Sequence, residues 1–250
     1  MIRLKYCGNR SAEDVRAALA SGADYLGFIF ADSKRRVSPA EVKRWLASAP
    51  LGGKQLVGVF VNAAVEQIAA VTAELPLHII QCHGRETPTE VAAVKEVTRR
   101  AVWKAIHHDD GALEAMKQYA GVADGYVVDS RVAGLWGGTG VAFDWEAVPR
   151  YLEEAARQGV PCFIAGGVTP DNIERLLLYR PDGIDISSGI ETDGRKDPKK
   201  MKQIEEKITY WTKETKDVFE TAANTCPDNV GACFTFGNKK VGMSDGTHSE

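Results

Sequence analysis

The residues best suited to chemistry sit in a few short stretches. In KYCGNR, Lys5 stands two residues before Cys7, and Gly8 follows. Alternate side chains of an extended chain share a face, so Lys5 and Cys7 point the same way. An adjacent ammonium favours the thiolate and lowers the thiol pKa. That is the setting of a nucleophile or a general base. The competing reading is an inert core thiol, the usual fate of a lone cysteine. In GYVVD, Asp129 closes an apolar run. Desolvation there raises a carboxyl pKa and suits a general acid. An Asp that only orders the following SRVAGLWGGTG explains it equally well. AGGVTPDNI and DISSG read together as an anion cradle. Gly166 and Gly167 allow close backbone approach, and Ser188 and Gly189 add further N–H groups. Tight turns are the plainer reading of the same glycines. QCHG supplies Gln81 and His83, and SKRRVSP sets three cations in a row.

These stretches fall at regular places in a repeating pattern. Short β-rich runs alternate with longer segments of helical periodicity up to about residue 211. The strand candidates are IRLKYC, DYLGFIF, KQLVGVFV, LHIIQ, AVWKAI, DGYVVD, PCFIA and DGIDI. Each is bounded by Gly, Pro, Asp or Asn. The helix candidates open on capping residues: SAEDVRAALASG, SPAEVKRWLAS, TPTEVAAVKEV and TPDNIERLLLY. Pro39 suits a first helical position. Eight such units predict an α/β fold, a single (β/α)₈ barrel of residues 1–215. An open doubly wound sheet is the alternative, but its usual GxGxxG is missing after the first strand. In a barrel the active site lies at the C-terminal ends of the strands. Cys7, His83, Asp129, Gly167 and Asp185 all end or follow a strand. Residues 216–250 lose periodicity and predict a poorly structured tail.

Composition narrows the class. The 250 residues carry a net charge of −3, so no basic field points to nucleic acid. No apolar run is long enough for a membrane span, and the first residues lack a signal-peptide pattern. Both features predict a cytoplasmic protein with mostly reduced thiols. The five cysteines show no CxxC or Cys/His spacing, so no metal is expected. Cys226 and Cys233, in the tail, have no nearby His.

The motifs together resemble one family, phosphoribosylanthranilate isomerase of tryptophan biosynthesis. KYCG, GFIFADSKRRVSP, QCHG, VVDSRVAGLWGGTG, IAGGVTPDNI and GIDISSGIE carry the resemblance in order. It implies a cofactor-free Amadori rearrangement of a sugar-phosphate substrate, N-(5′-phosphoribosyl)anthranilate. It also implies Cys7 as general base and Asp129 as general acid. Arg35 falls at the family's substrate-contacting arginine, and Arg36 where the family varies. His83 and Asp185 are lesser candidates for orienting the substrate. The backbones of Gly167, Ser188 and Gly189 fall at the phosphate. Tyr6 and Cys82 depart from the family's usual residues, Tyr6 on the outward face. The resemblance fixes no oligomeric state.

Other readings compete. Related aldose–ketose isomerases of the histidine pathway place an aspartate where Cys7 stands. A non-catalytic sugar-phosphate-binding barrel would not need both Cys7 and Asp129. A redox pair of Cys7 and Cys82 would need their Cα atoms within about 7 Å.

Overall fold

The computed structural model describes residues 2–47, 50–130 and 143–225. Eight parallel strands close into a barrel in chain order. They are β1 (Arg3–Tyr6), β2 (Tyr25–Ile29), β3 (Gln55–Phe60), β4 (Ile79–Cys82), β5 (Ala101–His107), β6 (Gly125–Asp129), β7 (Cys162–Ile164) and β8 (Gly183–Ile186). Closure pairs β8 with β1 and sets Lys5 opposite Asp185. The intervening helices are α1 (Ala12–Ala20), α2 (Pro39–Leu46), α3 (Val65–Glu74), α4 (Pro88–Thr98), α5 (Ala112–Lys117), α6 (Val148–Gln158) and α7 (Ile173–Leu177), and α8 (Pro198–Thr225) follows β8. Between β8 and α8 lies a small antiparallel hairpin of β9 (Glu191–Thr192) and β10 (Arg195–Lys196).

Local chemistry accounts for the helix starts. Ser38 and Thr87 cap α2 and α4, each accepting from the backbone of a glutamate three residues on. Glu41 and Glu90 reach back to the capping residues' own N–H groups, and a proline fills the first turn of each helix. The third Ser/Thr-Pro opening behaves differently. Pro170–Asn172 form a turn, and α7 starts only at Ile173. The Asn172 carboxamide accepts from the Thr169 N–H and donates to the Gly167 carbonyl, and so closes that turn before the helix begins.

Alternation along the strands separates two cores. Leu4, Tyr6, Leu26, Phe28 and Cys82 point outward under the helices. Tyr25, Val57, Ile79, Trp103, Val127, Phe163 and Ala165 fill the barrel interior. Tyr25, Trp103 and Phe163 meet edge-on or tilted, with ring centroids 4.6 to 5.5 Å apart. These rings form an aromatic plug inside the barrel. Gly183 is required beside it, because a Cβ there would overlap the Phe163 ring.

Contacts group Met1–Trp211 into one compact unit and Thr212–Glu250 into another. All the strands belong to the first. The helix α8 runs past residue 215 to Thr225, farther than lost periodicity suggested. DVFETAANT contains no Gly or Pro, and Pro227 is the first breaker. Residues 226–250, with Cys226 and Cys233, lie outside the described residues. So do 131–142, which hold most of the Gly-rich stretch after Asp129.

Candidate active site at the barrel mouth

Cys7 follows β1 directly and is buried, at 7 % exposure. Its sulfur packs on Gly27, where a Cβ would lie 2.7 Å from Sγ. Any side chain at position 27 would displace the thiol. Lys5 shares the inward face and is fully buried. Its ammonium donates to Asp185 Oδ2 at 2.6 Å. Burial opposes the Lys5 charge, yet Asp185 and the neighbouring Cys7 hold its pKa above the usual lysine value. The thiol does not follow the expectation from KYCG. Burial pushes the Cys7 pKa up and outweighs the pull of Lys5 and Lys196. Sequence supplied the cation but not the desolvation or the Asp185 carboxylate, which also disfavours the thiolate. The resting group is therefore a neutral thiol.

Asp129 ends β6, three strands round the barrel from β1, and is buried. His83 Nε2 lies 3.3 Å from Asp129 Oδ2, a close contact without hydrogen-bond alignment. Gln81 Nε2 donates to His83 Nδ1 at 2.7 Å and fixes the ring. His107 stacks edge-on against His83 with centroids 5.2 Å apart, and its Nε2 lies 3.1 Å from the His83 carbonyl. His83 thus faces Asp129, a partner its place in QCHG did not reveal.

Arg35 comes from the loop after β2. Its stem crosses Gly8, where a Cβ would lie 2.6 Å from Arg35 Cδ. Nε and Nη2 donate to the two Glu191 carboxylate oxygens at 2.9 and 2.7 Å. Arg35 is half-buried by this pair, whereas Arg36 is exposed. Glu191 also accepts from Lys196 at 3.0 Å. The same Lys196 ammonium, with a fully buried side chain, donates to the Cys7 and Ser187 carbonyls at 2.6 and 3.0 Å. Glu191 and Lys196 escaped the sequence reading. A signal was there in ETDGRK: Asp-Gly between polar residues is a hairpin turn. Asp193 and Gly194 both adopt the positive φ such a turn demands.

The two glycine loops abut. Gly189 presses against the Val168 carbonyl so closely that no side chain would fit. Gly167 takes a positive φ of 64°. Ser188 and Gly189 open a short 3-10 turn, Ser188–Ile190, whose first amides find no partner inside it. Two buried oxygens here, Asp185 Oδ1 and Ser187 Oγ, have no partner among the described residues. Cys82 faces the outer core while Cys7 faces inward, which separates the pair proposed for redox chemistry.

A mouth with a thiol beside an ammonium, a carboxyl beside an imidazole and paired glycine loops suits proton transfer on a phosphorylated substrate. Residues 4–207 match the family model of N-(5′-phosphoribosyl)anthranilate (PRA) isomerase. The chain belongs to this family. An N-(5′-phosphoribosyl)anthranilate isomerase of Geobacillus thermodenitrificans is 84 % identical over 211 residues, 84 % of this chain and 96 % of that one. The crystal structure of the Thermotoga maritima phosphoribosyl anthranilate isomerase is 30 % identical, with a TM-score of 0.73. The match covers 83 % of this chain and 98 % of that one. Another solved phosphoribosyl anthranilate isomerase, 30 % identical with a TM-score of 0.69, is in complex with reduced 1-(o-carboxyphenylamino)-1-deoxyribulose 5-phosphate. That match covers 82 % of this chain and 96 % of that one. Tyr6 and Cys82 both lie in the outer core, under the helices.

Proposed function

We propose that this PRA isomerase converts N-(5′-phosphoribosyl)anthranilate to 1-(2-carboxyphenylamino)-1-deoxyribulose 5-phosphate with Asp129 as general acid and Cys7 as general base. The observation that carries the assignment is the inward convergence of these two groups on one mouth, each with its own partner. Protonated Asp129 delivers its proton to the ribose ring oxygen, and the ring opens to an iminium. The iminium makes the C2′–H acidic. The Cys7 thiolate removes that proton, giving an enolamine that tautomerises to the ketose. Lys5 sustains the thiolate, and His83 positions the Asp129 carboxyl. Gly167, Ser188 and Gly189 hold the phosphate through their amides and so fix the sugar between acid and base. Arg35 takes the anthranilate carboxylate, and Asp185 Oδ1 accepts from a sugar hydroxyl. Among the described residues, the buried free thiols Cys7, Cys82 and Cys162 suit a reducing cytoplasm. Among the described residues no helix is long and apolar enough to cross a membrane.

The test is direct. Purified protein mixed with phosphoribosylanthranilate should abolish the substrate's fluorescence at a rate proportional to enzyme. A persistent signal with folded protein would reject the assignment.

A further inference from the structure

Arg35 is already held by a carboxylate in this site, and the geometry of that grip has a consequence. A guanidinium offers five N–H donors. Glu191 takes the side formed by Nε and Nη2. Among the described residues the end formed by Nη1 and the second Nη2 hydrogen has no hydrogen-bond partner and is free for another carboxylate. Arg35 and Glu191 alone would be a neutral pair, and a neutral pair attracts a substrate anion poorly. Lys196 completes the group, with its ammonium on Glu191 Oε1. Burial lowers the Lys196 pKa, and the Glu191 carboxylate opposes that loss of charge. With Lys196 protonated, one carboxylate between two cations leaves the cluster net positive. Burial would normally raise the Glu191 pKa, but Arg35 and Lys196 hold it below the ordinary value, so the carboxylate stays ionised.

The elements that meet here make the arrangement stiff. Glu191 and Lys196 are the two ends of the β9–β10 hairpin. The Lys196 N–H donates to Asp14 on α1, and Lys200 donates to the Glu191 carbonyl. Arg10, ahead of α1, donates to the carbonyls of Lys34 and Gly194. The hairpin, the loop after β1 and the loop after β2 are therefore tied together around Gly8.

We infer that Glu191 is a positioning residue for substrate recognition. It orients the Arg35 guanidinium end-on toward the anthranilate carboxylate, with Lys196 supplying the charge that keeps the cluster cationic. This rests on Arg35 being the contact for that carboxylate. Arg35 without Glu191 is a long side chain with several rotamers, and the entropy of fixing it then falls on the binding step.

The experiment is a double-mutant cycle read by ligand affinity. The probes are reduced 1-(o-carboxyphenylamino)-1-deoxyribulose 5-phosphate and the same molecule with a plain phenyl ring. Glu191→Gln should weaken the carboxylate-bearing ligand about tenfold, within the range of coupled neighbours. The phenyl ligand should lose less than about twofold. In an Arg35→Ala background, Glu191→Gln should change neither affinity by more than about twofold. Glu191→Asp serves as the second variant. It keeps a charge for Lys196, withdraws the carboxylate from Arg35, and should show the same selectivity even if Glu191→Gln folds poorly. Equal weakening of both ligands, or an undiminished loss in the Arg35→Ala background, would make Glu191 a structural residue and overturn the inference. Tighter binding by Glu191→Gln would overturn it too, since Glu191 would then chiefly repel the substrate. If Arg35→Ala alone left the carboxylate-bearing ligand unaffected, the reading of Arg35 itself would fall.

Discussion

Cys7 ionises against its surroundings. Burial and Asp185 keep the proton on sulfur, and Lys5 and Lys196 favour its loss. The thiolate that the base must be is then the minor form of Cys7. A bell-shaped pH profile of kcat/KM still follows, because its limbs count the protons of Cys7 and Asp129 as a pair. Removing either group should be severe. Cys7→Ser should lower kcat by about 10²-fold or more, the low end of general-base contributions, since a serine hydroxyl barely ionises at neutral pH. Asp129→Asn should cost a similar factor. Affinity for the reduced product analogue should survive both changes. Near-normal turnover by folded Cys7→Ser would return KYCG to a core thiol. Asp185 gives a subtler check. Asp185→Asn removes a carboxylate that disfavours the thiolate and frees Lys5 to serve the sulfur. The pH at which Cys7 becomes reactive to iodoacetamide should therefore fall. An unchanged or higher midpoint would show that Lys5 needs Asp185 to remain charged.

At the scale of elements, strand alternation does most of the positioning. Lys5 and Cys7, Gln81 and His83, Val127 and Asp129 are each two apart, so an inward residue inside the barrel is followed by an inward residue at the rim. The plug depends on glycine as much as on rings. Gly183→Ala forces a methyl into the Phe163 ring and should destabilise the fold by about 1–3 kcal/mol, the usual cost of overpacking. Urea unfolding would measure it, and an unaltered midpoint would mean that β8 yields without strain. This level was largely legible in the sequence. The β-rich runs and the Ser-Pro and Thr-Pro openings announce themselves through strictly local chemistry. One departure was a local competition: Asn172 turned TPDN into a closed turn before α7. The last helix extends through DVFETAANT, which carries helix propensity without an amphipathic period.

At the scale of the molecule, closure of the barrel joins what the chain separates. Lys5 meets Asp185 because β8 returns to β1, and Arg35 meets Glu191 because two loops fold over Gly8. Such pairs leave no periodic trace, which is why the rim positions could be read from motifs but their partners could not. The same view bears on the C-terminal segment. Every barrel strand and every proposed site residue lies within Met1–Trp211. The family model ends at residue 207. The relative from Geobacillus thermodenitrificans matches over 96 % of its own length while leaving part of this chain unmatched. We propose that residues 216–250 add little to the isomerase fold. A chain ending at residue 215 should keep its kcat/KM. Its melting temperature should stay within about 2 °C, the shift that roughly 1 kcal/mol produces in a chain of this size. A larger drop, with activity lost in parallel, would show that the segment beyond residue 215 supports the barrel and that the domain extends past Trp211.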